Sequence, residues 1–294
     1  MQKLSVIIKP ELCGKDVKTV LIRHMGISSS LVSKVKLREK GIMLNGQRVF
    51  TNAIVNTGDL LEFDISDESS PDIIPKIEYP LDIVFEDDNL IVINKPAPMV
   101  VYASFKVEGP CTVANALAFH WNDENYYLHA VNRLDRGTTG LMVVAKNSYV
   151  HEALCKDLHT DSFRREYRGI TVGAPNPLCG EIDLPISREE GSKIKRKTDP
   201  SGAPAHTEYE TLLSKNGFSL VRLKLKTGRT HQLRLHMSAI GTPLAGDFLY
   251  GVEDKSLISR PALHSYEMWL THPVTQEQLH FIAPIPEDMQ ALIK

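Results

Sequence analysis

A polar segment punctuated by prolines divides the chain early, at residues 66–75. Its sequence, Ser-Asp-Glu-Ser-Ser-Pro-Asp-Ile-Ile-Pro, is typical of an irregular connection, because proline interrupts helices and lacks the amide donor that a sheet needs. We therefore predict a small domain over residues 1–65, a linker over 66–79 and a larger domain over 80–294. Apolar residues make up 42% of the 294 residues, which is enough for both parts to bury a core.

Charge is unevenly distributed between the two parts. Residues 1–65 hold ten Lys/Arg and six Asp/Glu, a surplus of four positive charges, although the whole chain carries a formal net charge of −2. The remaining 229 residues must therefore carry a net charge of −6. A basic small domain on an acidic larger one favours a polyanionic partner for the small domain.

The small domain is predicted to contain two helices followed by a hairpin. Apolar residues at helical spacing run from Val17 to Met25, and one of Ser28, Ser29 and Ser30 can cap a second helix. Asn45-Gly46 between short apolar runs is typical of a tight hairpin turn. A charge run alone is more often a solvated helix face, but basic residues beside a hairpin also suit a phosphate backbone. The candidate phosphate-binding residues on this second helix are Lys34, Lys36 and Arg38.

The larger domain alternates strand and helix patterns. Residues 81–95 predict a hairpin, Thr112 can cap a helix that runs to Trp121, and Leu141–Ala145 is short and wholly apolar, as in a buried strand. Residues 218–227 alternate apolar and basic side chains, which is typical of a half-buried strand. We expect an α+β fold, with a mixed, mostly antiparallel central sheet, flanking helices, and the small α+β domain in front.

Three segments of the larger domain carry candidate catalytic residues. Asp135 lies in a turn among arginines and glycines, Tyr167 follows Arg164-Arg165-Glu166, and Arg229 lies between a strand and a helix. Each has an ordinary structural explanation when taken alone. An arginine at such a junction can, however, bind a carboxylate or a phosphate with two hydrogen bonds.

Taken in order, the three segments resemble the RluA-type family of RNA pseudouridine synthases. The family's His-Arg-Leu-Asp-x-x-Thr-Ser-Gly is matched by residues 132–140, with Asn132 in place of the usual histidine. Its Lys-x-Tyr is matched by residues 165–167, and its Thr-Gly-Arg-x-His-Gln-Ile-Arg by residues 227–234. A fourth set of positions further downstream, Gly241-x-Pro243, Gly246-Asp247 and His272-Pro273, also matches the family's pattern. The resemblance covers roughly residues 80–283, and four motifs in the correct order leave little room for chance.

This resemblance implies the isomerisation of specific uridines in structured RNA to pseudouridine, without a metal or a cofactor. Asp135 would act on the ribose, Arg229 would pair with Asp135 and keep it ionised, and Tyr167 would stack on the base. Arg133 would enter the space left by the flipped uridine. The further substrate-binding residues are Arg136, Thr138, His231, Gln232 and Arg234. Whether Asp135 attacks the sugar or removes a proton from it stays open.

The small domain resembles the RNA-binding domain shared with the fourth small-subunit ribosomal protein. Asn45-Gly46 and Gly58-Asp59 match its pattern, whereas Ser29 stands where an arginine is common. This module favours large-subunit ribosomal RNA as the substrate. Two alternatives are the same reaction on transfer RNA and a non-catalytic RNA-binding or assembly factor that retains the fold.

Other classes of protein fit the sequence less well. The four cysteines are far apart and form no Cys-x-x-Cys pair, which favours free thiols in the cytoplasm. No apolar run approaches the ~20 residues that a bilayer requires, and no Gly-x-Ser-x-Gly hydrolase motif is present. The spacing of His151, Cys155 and His159 along a predicted helix is too long for one metal ion. His231 and His236, five positions apart on another predicted helix, point in different directions and cannot share a metal ion either. We expect a monomer that binds RNA and no membrane.

Overall fold

The chain forms a four-stranded sheet, a ten-stranded sheet and a separate two-stranded sheet over residues 186–198, in a computed structural model that describes residues 2–67, 70, 73–102 and 110–294. The strands are β1 (Lys3–Ile7), β2 (Ile42–Leu44), β3 (Gln47–Arg48), β4 (Leu60–Asp64), β5 (Ile83–Glu86), β6 (Leu90–Lys95), β7 (His129–Ala130), β8 (Thr139–Ala145), β9 (Phe163–Val172), β10 (Cys179–Asp183), β11 (Ile186–Arg188), β12 (Arg196–Thr198), β13 (His206–Lys215), β14 (Phe218–Leu225), β15 (Leu263–Thr271) and β16 (Gln278–Ile282). The helices are α1 (Val17–Thr19, extended by a π-helical turn over Val20–His24), α2 (Ser29–Val35), α3 (Val113–His120), α4 (Ser148–Asp157), α5 (Gln232–Ala239) and α6 (Glu287–Leu292).

The small sheet, β1-β4-β2-β3, packs with α1 and α2 around its own apolar cluster. The hydroxyl of Ser28 accepts a hydrogen bond from the Leu31 amide, so Ser28 is the cap of the basic helix. Asn45 and Gly46 both have positive φ, as the tight turn between β2 and β3 requires. The two helices and the hairpin predicted for this part are confirmed.

The connection between the sheets is irregular in its described residues, yet it is attached to the larger part. The Ile74 side chain is buried, and its amide donates to the carbonyl of Glu124 at 2.8 Å. Asp67 accepts a hydrogen bond from the Ser148 hydroxyl and lies 2.6 Å from Nε2 of His129. These contacts fix the position of the segment although it has no regular structure.

The large sheet has the order β10-β13-β14-β9-β15-β8-β6-β5, with β16 beside β15 and β7 beside β8. Only the β8–β15 pair is parallel among its described pairings, so the predicted mixed, mostly antiparallel α+β fold is confirmed. All seven residues of β8 are buried, as expected for a central strand. The predicted hairpin over 81–95 forms as β5 and β6, and Thr112 caps α3.

The loop that carries Asp135 is held where β8 meets β15. It runs over residues 131–138, between β7 and β8. Gly140 follows it with φ +107°, and a Cβ there would lie 2.2 Å from the Ser265 carbonyl oxygen. Only glycine therefore allows the two strands to approach this closely, and the approach brings the loop beside α5.

Two sequence-based helix assignments are wrong. His231 and His236 were expected on one helix, but His231 has φ 59° and precedes α5. His159 was placed on one helical face with His151 and Cys155, whereas α4 ends at Asp157 and His159 has φ 73°. In both cases the chain turns sharply near the site. No helix among the described residues is long and apolar enough to cross a membrane.

Candidate active site

One open pocket of about 650 Å³ gathers residues from all three candidate segments. Asp135 comes from the loop before β8, Tyr167 from the middle of β9, and Arg229 from the turn between β14 and α5. A smaller adjoining cavity shares these three side chains. The remaining predicted residues of the larger domain line one or both cavities: Arg133, Arg136, Thr138, His231, Gln232 and Arg234.

Asp135 forms an ion pair with Arg234. Nη1 of Arg234 lies 3.3 Å from Oδ2 of Asp135, while its Nε and Nη2 each donate at 2.7 Å to the two carboxylate oxygens of Asp247. Arg234 is 3% exposed and Asp247 is fully buried. Burial alone would lower the pKa of Arg234, but the hydrogen bonds and charge of Asp247 raise it above the ordinary value. Arg234 is therefore a permanently charged, fixed neighbour of Asp135.

The predicted ion pair between Asp135 and Arg229 is wrong in this structure. Within the described residues, the side chains paired with Asp135 are Arg234, which is a cation, and His231, whose Nε2 lies 3.8 Å from Oδ2. Arg229 is exposed, and its Nε donates to the carbonyl of Pro204 at 3.0 Å. Both arginines face the Asp135 cavity, but the turn before α5 directs Arg229 outward while the helix directs Arg234 inward.

Gln232 holds that turn in place rather than facing a substrate. Its Oε1 accepts hydrogen bonds from the Thr227 hydroxyl and the Arg229 amide, and its Nε2 donates to the His206 carbonyl and the Thr207 hydroxyl. The side chain is 2% exposed. Its predicted substrate-binding role is therefore corrected to a positioning role, because every polar atom of the amide is used inside the protein.

His231 is connected to Asp135 on one side and to Tyr250 on the other. The Tyr250 hydroxyl accepts from the Arg196 amide at 2.8 Å and lies 2.9 Å from Nδ1 of His231, so its own proton can be donated to Nδ1. Burial lowers the pKa of His231, and the charge of Asp135 offsets only part of that effect. The imidazole is then neutral at pH 7, with its proton on Nε2, facing Asp135.

Tyr167 is buried in the pocket wall, whereas the two arginines before β8 are exposed to solvent. Tyr167 is 3% exposed and forms part of the pocket wall, which suits a residue that contacts a flat base. Arg133 and Arg136 are exposed at the pocket. Thr138 is buried, and its amide donates to the Asp135 carbonyl at 3.0 Å, which closes the turn that presents the carboxylate.

Asn132, which replaces the family's usual histidine, supports the loop. Its Oδ1 accepts from the Val143 amide at 2.8 Å, and its Nδ2 donates to the Leu141 carbonyl at 3.3 Å. The side chain is 2% exposed and ties the loop to β8. The substitution therefore changes a loop support and leaves the Asp135 carboxylate in the pocket.

Lys95 is a buried neighbour of the site that sequence reasoning did not identify. Its Nζ donates to the carbonyls of Pro96 and Met99, both at 2.8 Å, and the Met99 amide donates to the Arg136 carbonyl. Burial lowers its pKa to about 7, although the charge of Asp135 acts in the opposite direction. The signal in the sequence was a lysine at the end of a strand that begins with four consecutive apolar residues.

His264 supports the start of β8 from the opposite side. It is fully buried, its Nδ1 lies 2.8 Å from the Thr139 hydroxyl, and its Nε2 lies 3.0 Å from the Ala283 carbonyl. Burial lowers its pKa to about 4. The unfolded chain, with a histidine pKa near 6.5, binds this proton more readily, so protonation favours unfolding as the pH falls from about 6.5 to 4.

We therefore expect His264→Gln to reduce the acid sensitivity of folding. Between pH 7 and 4 the wild type should lose up to about 3 kcal/mol more stability than the variant, measured by urea unfolding at each pH. His24→Gln, at an exposed position in the small domain, is the control. Parallel stability curves for the wild type and His264→Gln would contradict the assignment.

The predicted basic residues of the small domain do not line this pocket. Lys34 is exposed and Lys36 is partly exposed on or directly after α2. Arg38 instead has an internal role, because its Nη1 donates to Oδ2 of Asp64 at 3.0 Å and to the Ser66 carbonyl at 2.6 Å. It fastens the end of β4, and its contact with RNA stays a prediction.

One cluster of metal-capable side chains exists among the described residues, at Glu181, His206 and Glu208. It was not predicted, and it lies outside the Asp135 pocket, on the edge strand β10 and its neighbour β13. Glu181 and Glu208 face each other across the strands, and Glu208 is paired with Lys226 at 3.1 Å. We assign it no part in the Asp135 site.

A family model, curated relatives and a solved structure all match this chain and share one description. A family model described as RNA pseudouridylate synthase matches residues 89–239. An uncharacterised RNA pseudouridine synthase of Bacillus subtilis is 36% identical over 92% of this chain and 96% of its own length. A ribosomal large subunit pseudouridine synthase D of Vibrio parahaemolyticus is 40% identical over 73% of this chain and 70% of its own. The solved structure of human RNA pseudouridylate synthase domain containing 4 has a TM-score of 0.57 and 26% identity, covering 71% of this chain and 90% of that one.

Proposed function

Since the chain belongs to the family of RNA pseudouridine synthases, we propose that it converts specific uridines of large-subunit ribosomal RNA to pseudouridine, with Asp135 as the catalytic carboxylate. The observation that carries the assignment of Asp135 is its place in the pocket, in contact with a buried, permanently charged arginine. Support for the ribosomal target comes from relatives named ribosomal large subunit pseudouridine synthase D.

The reaction is an isomerisation, so every atom of the uridine is kept. The bond between the ribose C1′ and uracil N1 breaks, the base turns, and C1′ bonds to C5. The proton on C5 is lost and N1 gains one. Asp135 either attacks C1′ or removes a ribose proton, and both roles use a carboxylate whose Oδ2 lies 3.3 Å from Nη1 of Arg234.

The other pocket residues provide the contacts of the base and the RNA strand. Tyr167 forms an apolar wall on which the turned uracil can stack. Arg133 and Arg136 are exposed beside Asp135, where they can fill the gap left by a flipped nucleotide and neutralise its phosphates. Arg229 is exposed at the same pocket and is a phosphate contact in this proposal.

The domain division is also part of the proposal. Residues 1–65 would bind RNA, 66–79 would connect, and 80–294 would catalyse. The small domain has its own sheet and apolar cluster, which supports this division. We further propose that the protein acts as a monomer in the cytoplasm, where ribosomal RNA and free thiols are both found.

Mapping pseudouridines at single-nucleotide resolution tests the function. Ribosomal and transfer RNA from cells with and without the protein would be compared, with a strain expressing Asp135→Asn as a third sample. We expect sites in large-subunit ribosomal RNA to disappear in both deficient strains. Loss restricted to transfer RNA would replace the target, and identical maps would support a non-catalytic factor.

The basic helix gives a separate, measurable expectation. Lys34→Gln/Lys36→Gln should weaken RNA binding and reduce the slope of log affinity against log salt by about 1.4–1.8, since each phosphate contact contributes about 0.7–0.9. Filter binding to a large-subunit ribosomal RNA transcript at several salt concentrations measures it. Lys3→Gln/Lys9→Gln, in the same domain but off the helix, is the matched control. Equal slopes for both variants would show that α2 does not contact phosphates.

A further inference from the structure

The segment over residues 260–263 lies against the loop that carries Asp135. A Cβ added at Gly137, two residues after Asp135, would lie 2.9 Å from Cδ of Pro261. A side chain at position 137 would therefore push the loop away from the segment. The two are also joined by a hydrogen bond, because Nη1 of Arg260 donates to the Gly137 carbonyl at 3.3 Å.

The same segment contacts the turn that leads to Asp247. Gly246 has φ +70°, and a Cβ there would lie 2.4 Å from the carbonyl oxygen of Arg260. Asp247 is the next residue, and its carboxylate fixes Arg234 with two hydrogen bonds. The segment is thus packed between the two parts of the chain that present the Asp135–Arg234 pair to each other.

The Arg260 guanidinium ties this arrangement to α6. It is buried, with 8% of the residue exposed. Its Nε and Nη2 each donate at 2.8 Å to one carboxylate oxygen of Asp288, in the first turn of α6. Its Nη1 donates to the carbonyls of Gly137, Pro261 and Leu263 at 3.2–3.3 Å. Because a guanidinium is planar and rigid, the two bonds to Asp288 fix the direction in which Nη1 points.

The Asp135 carboxylate depends on its loop for its position. Its contacts are long, 3.3 Å to Nη1 of Arg234 and 3.8 Å to Nε2 of His231, and 29% of its side chain is exposed. The backbone of the loop therefore decides where the carboxylate lies. Misplacing a catalytic group by about 1 Å can slow a reaction about a hundredfold.

We propose that Arg260 is a positioning residue for the isomerisation, which sets the place of the Asp135 carboxylate relative to Arg234. This inference rests on the proposed function and adds to it a residue that acts through the loop and not on the RNA. Arg260 and Asp288 line a cavity of about 500 Å³ that shares no described lining residue with the Asp135 pocket. Through Asp288, α6 becomes part of the support of the catalytic loop.

Asp288→Asn tests this away from the pocket. The amide keeps one acceptor for Arg260 but loses the charge and the second acceptor, so the guanidinium is no longer fixed. Isomerisation of a large-subunit ribosomal RNA transcript at saturating protein should slow at least about tenfold. The protein concentration for half-saturation should stay within about twofold of the wild type, since no RNA contact changes. Amide hydrogen exchange over residues 131–140, measured on the full-length protein without RNA, should become faster.

Three further variants separate positioning from a loss of stability. Asp288→Glu keeps the charge and both acceptor oxygens and should restore most of the rate. Glu287→Gln removes the neighbouring exposed charge in the same turn of α6 and should change neither the rate nor the exchange. Leu292→Ala, at a buried position at the end of α6, should lower the urea midpoint more than Asp288→Asn does, yet leave the rate near that of the wild type.

Each readout can overturn the inference. A rate within about twofold of the wild type for Asp288→Asn would do so, and so would unchanged exchange over residues 131–140. Equal slowing by Leu292→Ala would also overturn it, because a general loosening of α6 would then explain the loss. The exchange does not depend on turnover. A wild type that isomerises no uridine therefore counts against the proposed function, while the exchange still decides whether Arg260 holds the loop.

Discussion

Asp135→Asn is expected to reduce uridine isomerisation by at least roughly 10⁴-fold, the size of loss that follows when an essential catalytic group is removed. Asparagine keeps the shape and one acceptor oxygen for Nη1 of Arg234, but it cannot attack C1′ or accept a ribose proton. RNA affinity should stay within a few fold, because the contacts with phosphates are untouched. Single-turnover conversion of a ribosomal RNA transcript, with binding measured in parallel, checks both parts.

The matched control for this variant is Asp161→Asn, an exposed carboxylate in the groove next to the pocket. It should keep near-wild-type turnover, which separates loss of the Asp135 charge from a general change in local electrostatics. Folding of Asp135→Asn should also be close to wild type, because Arg234 keeps its two bonds to Asp247. Measurable turnover by the folded Asp135→Asn protein would refute the assignment.

Arg234→Met is expected to give the largest loss of stability, about 3–5 kcal/mol, which is the cost of leaving one member of a buried ion pair alone. Asp247 is fully buried and receives two hydrogen bonds from this arginine, so its charge would lose its only ion-pair partner among the described residues. Many folded proteins have only about 5–15 kcal/mol of stability in total. Urea unfolding monitored by circular dichroism measures the loss directly.

The double variant Arg234→Met/Asp247→Asn should lower the free energy of unfolding by less than the sum of the two single changes, because no buried charge is left unpaired. The asparagine introduced at position 247 would keep an acceptor for the backbone amides of Leu249 and Tyr250. Arg229→Ala is the control, since removing an exposed arginine that bonds to a carbonyl should lower the free energy of unfolding by no more than about 1 kcal/mol. If the losses of unfolding free energy in the two single variants simply add in the double variant, Arg234 and Asp247 do not form the buried ion pair. The same conclusion follows if Arg229→Ala costs as much stability as Arg234→Met.

Much of the fold could be read from local patterns. The Ser28 cap, the Asn45-Gly46 turn, the hairpin of β5 and β6 and the buried strand β8 all depend on residues close in sequence. Such features rest on backbone geometry and on periodic burial, which short segments already encode. The breaks at His159 and His231 were missed, because a left-handed residue that is not glycine gives no clear signal in a sequence.

The order of the motifs was enough to establish the reaction class and the residues that gather at the pocket, since Asp135, Tyr167 and Arg229 do line one cavity. Which of the pocket residues pair with one another could not be predicted from the motifs. Arg234 rather than Arg229 pairs with Asp135, although the two arginines are five positions apart and chemically identical. The choice depends on how Gln232 holds the turn before α5 and on where buried Asp247 lies. The bonds of Gln232 to His206 and Thr207, and of Arg234 to Asp247, join segments 13 to 26 positions apart, so their distances and directions exist only once the chain has folded.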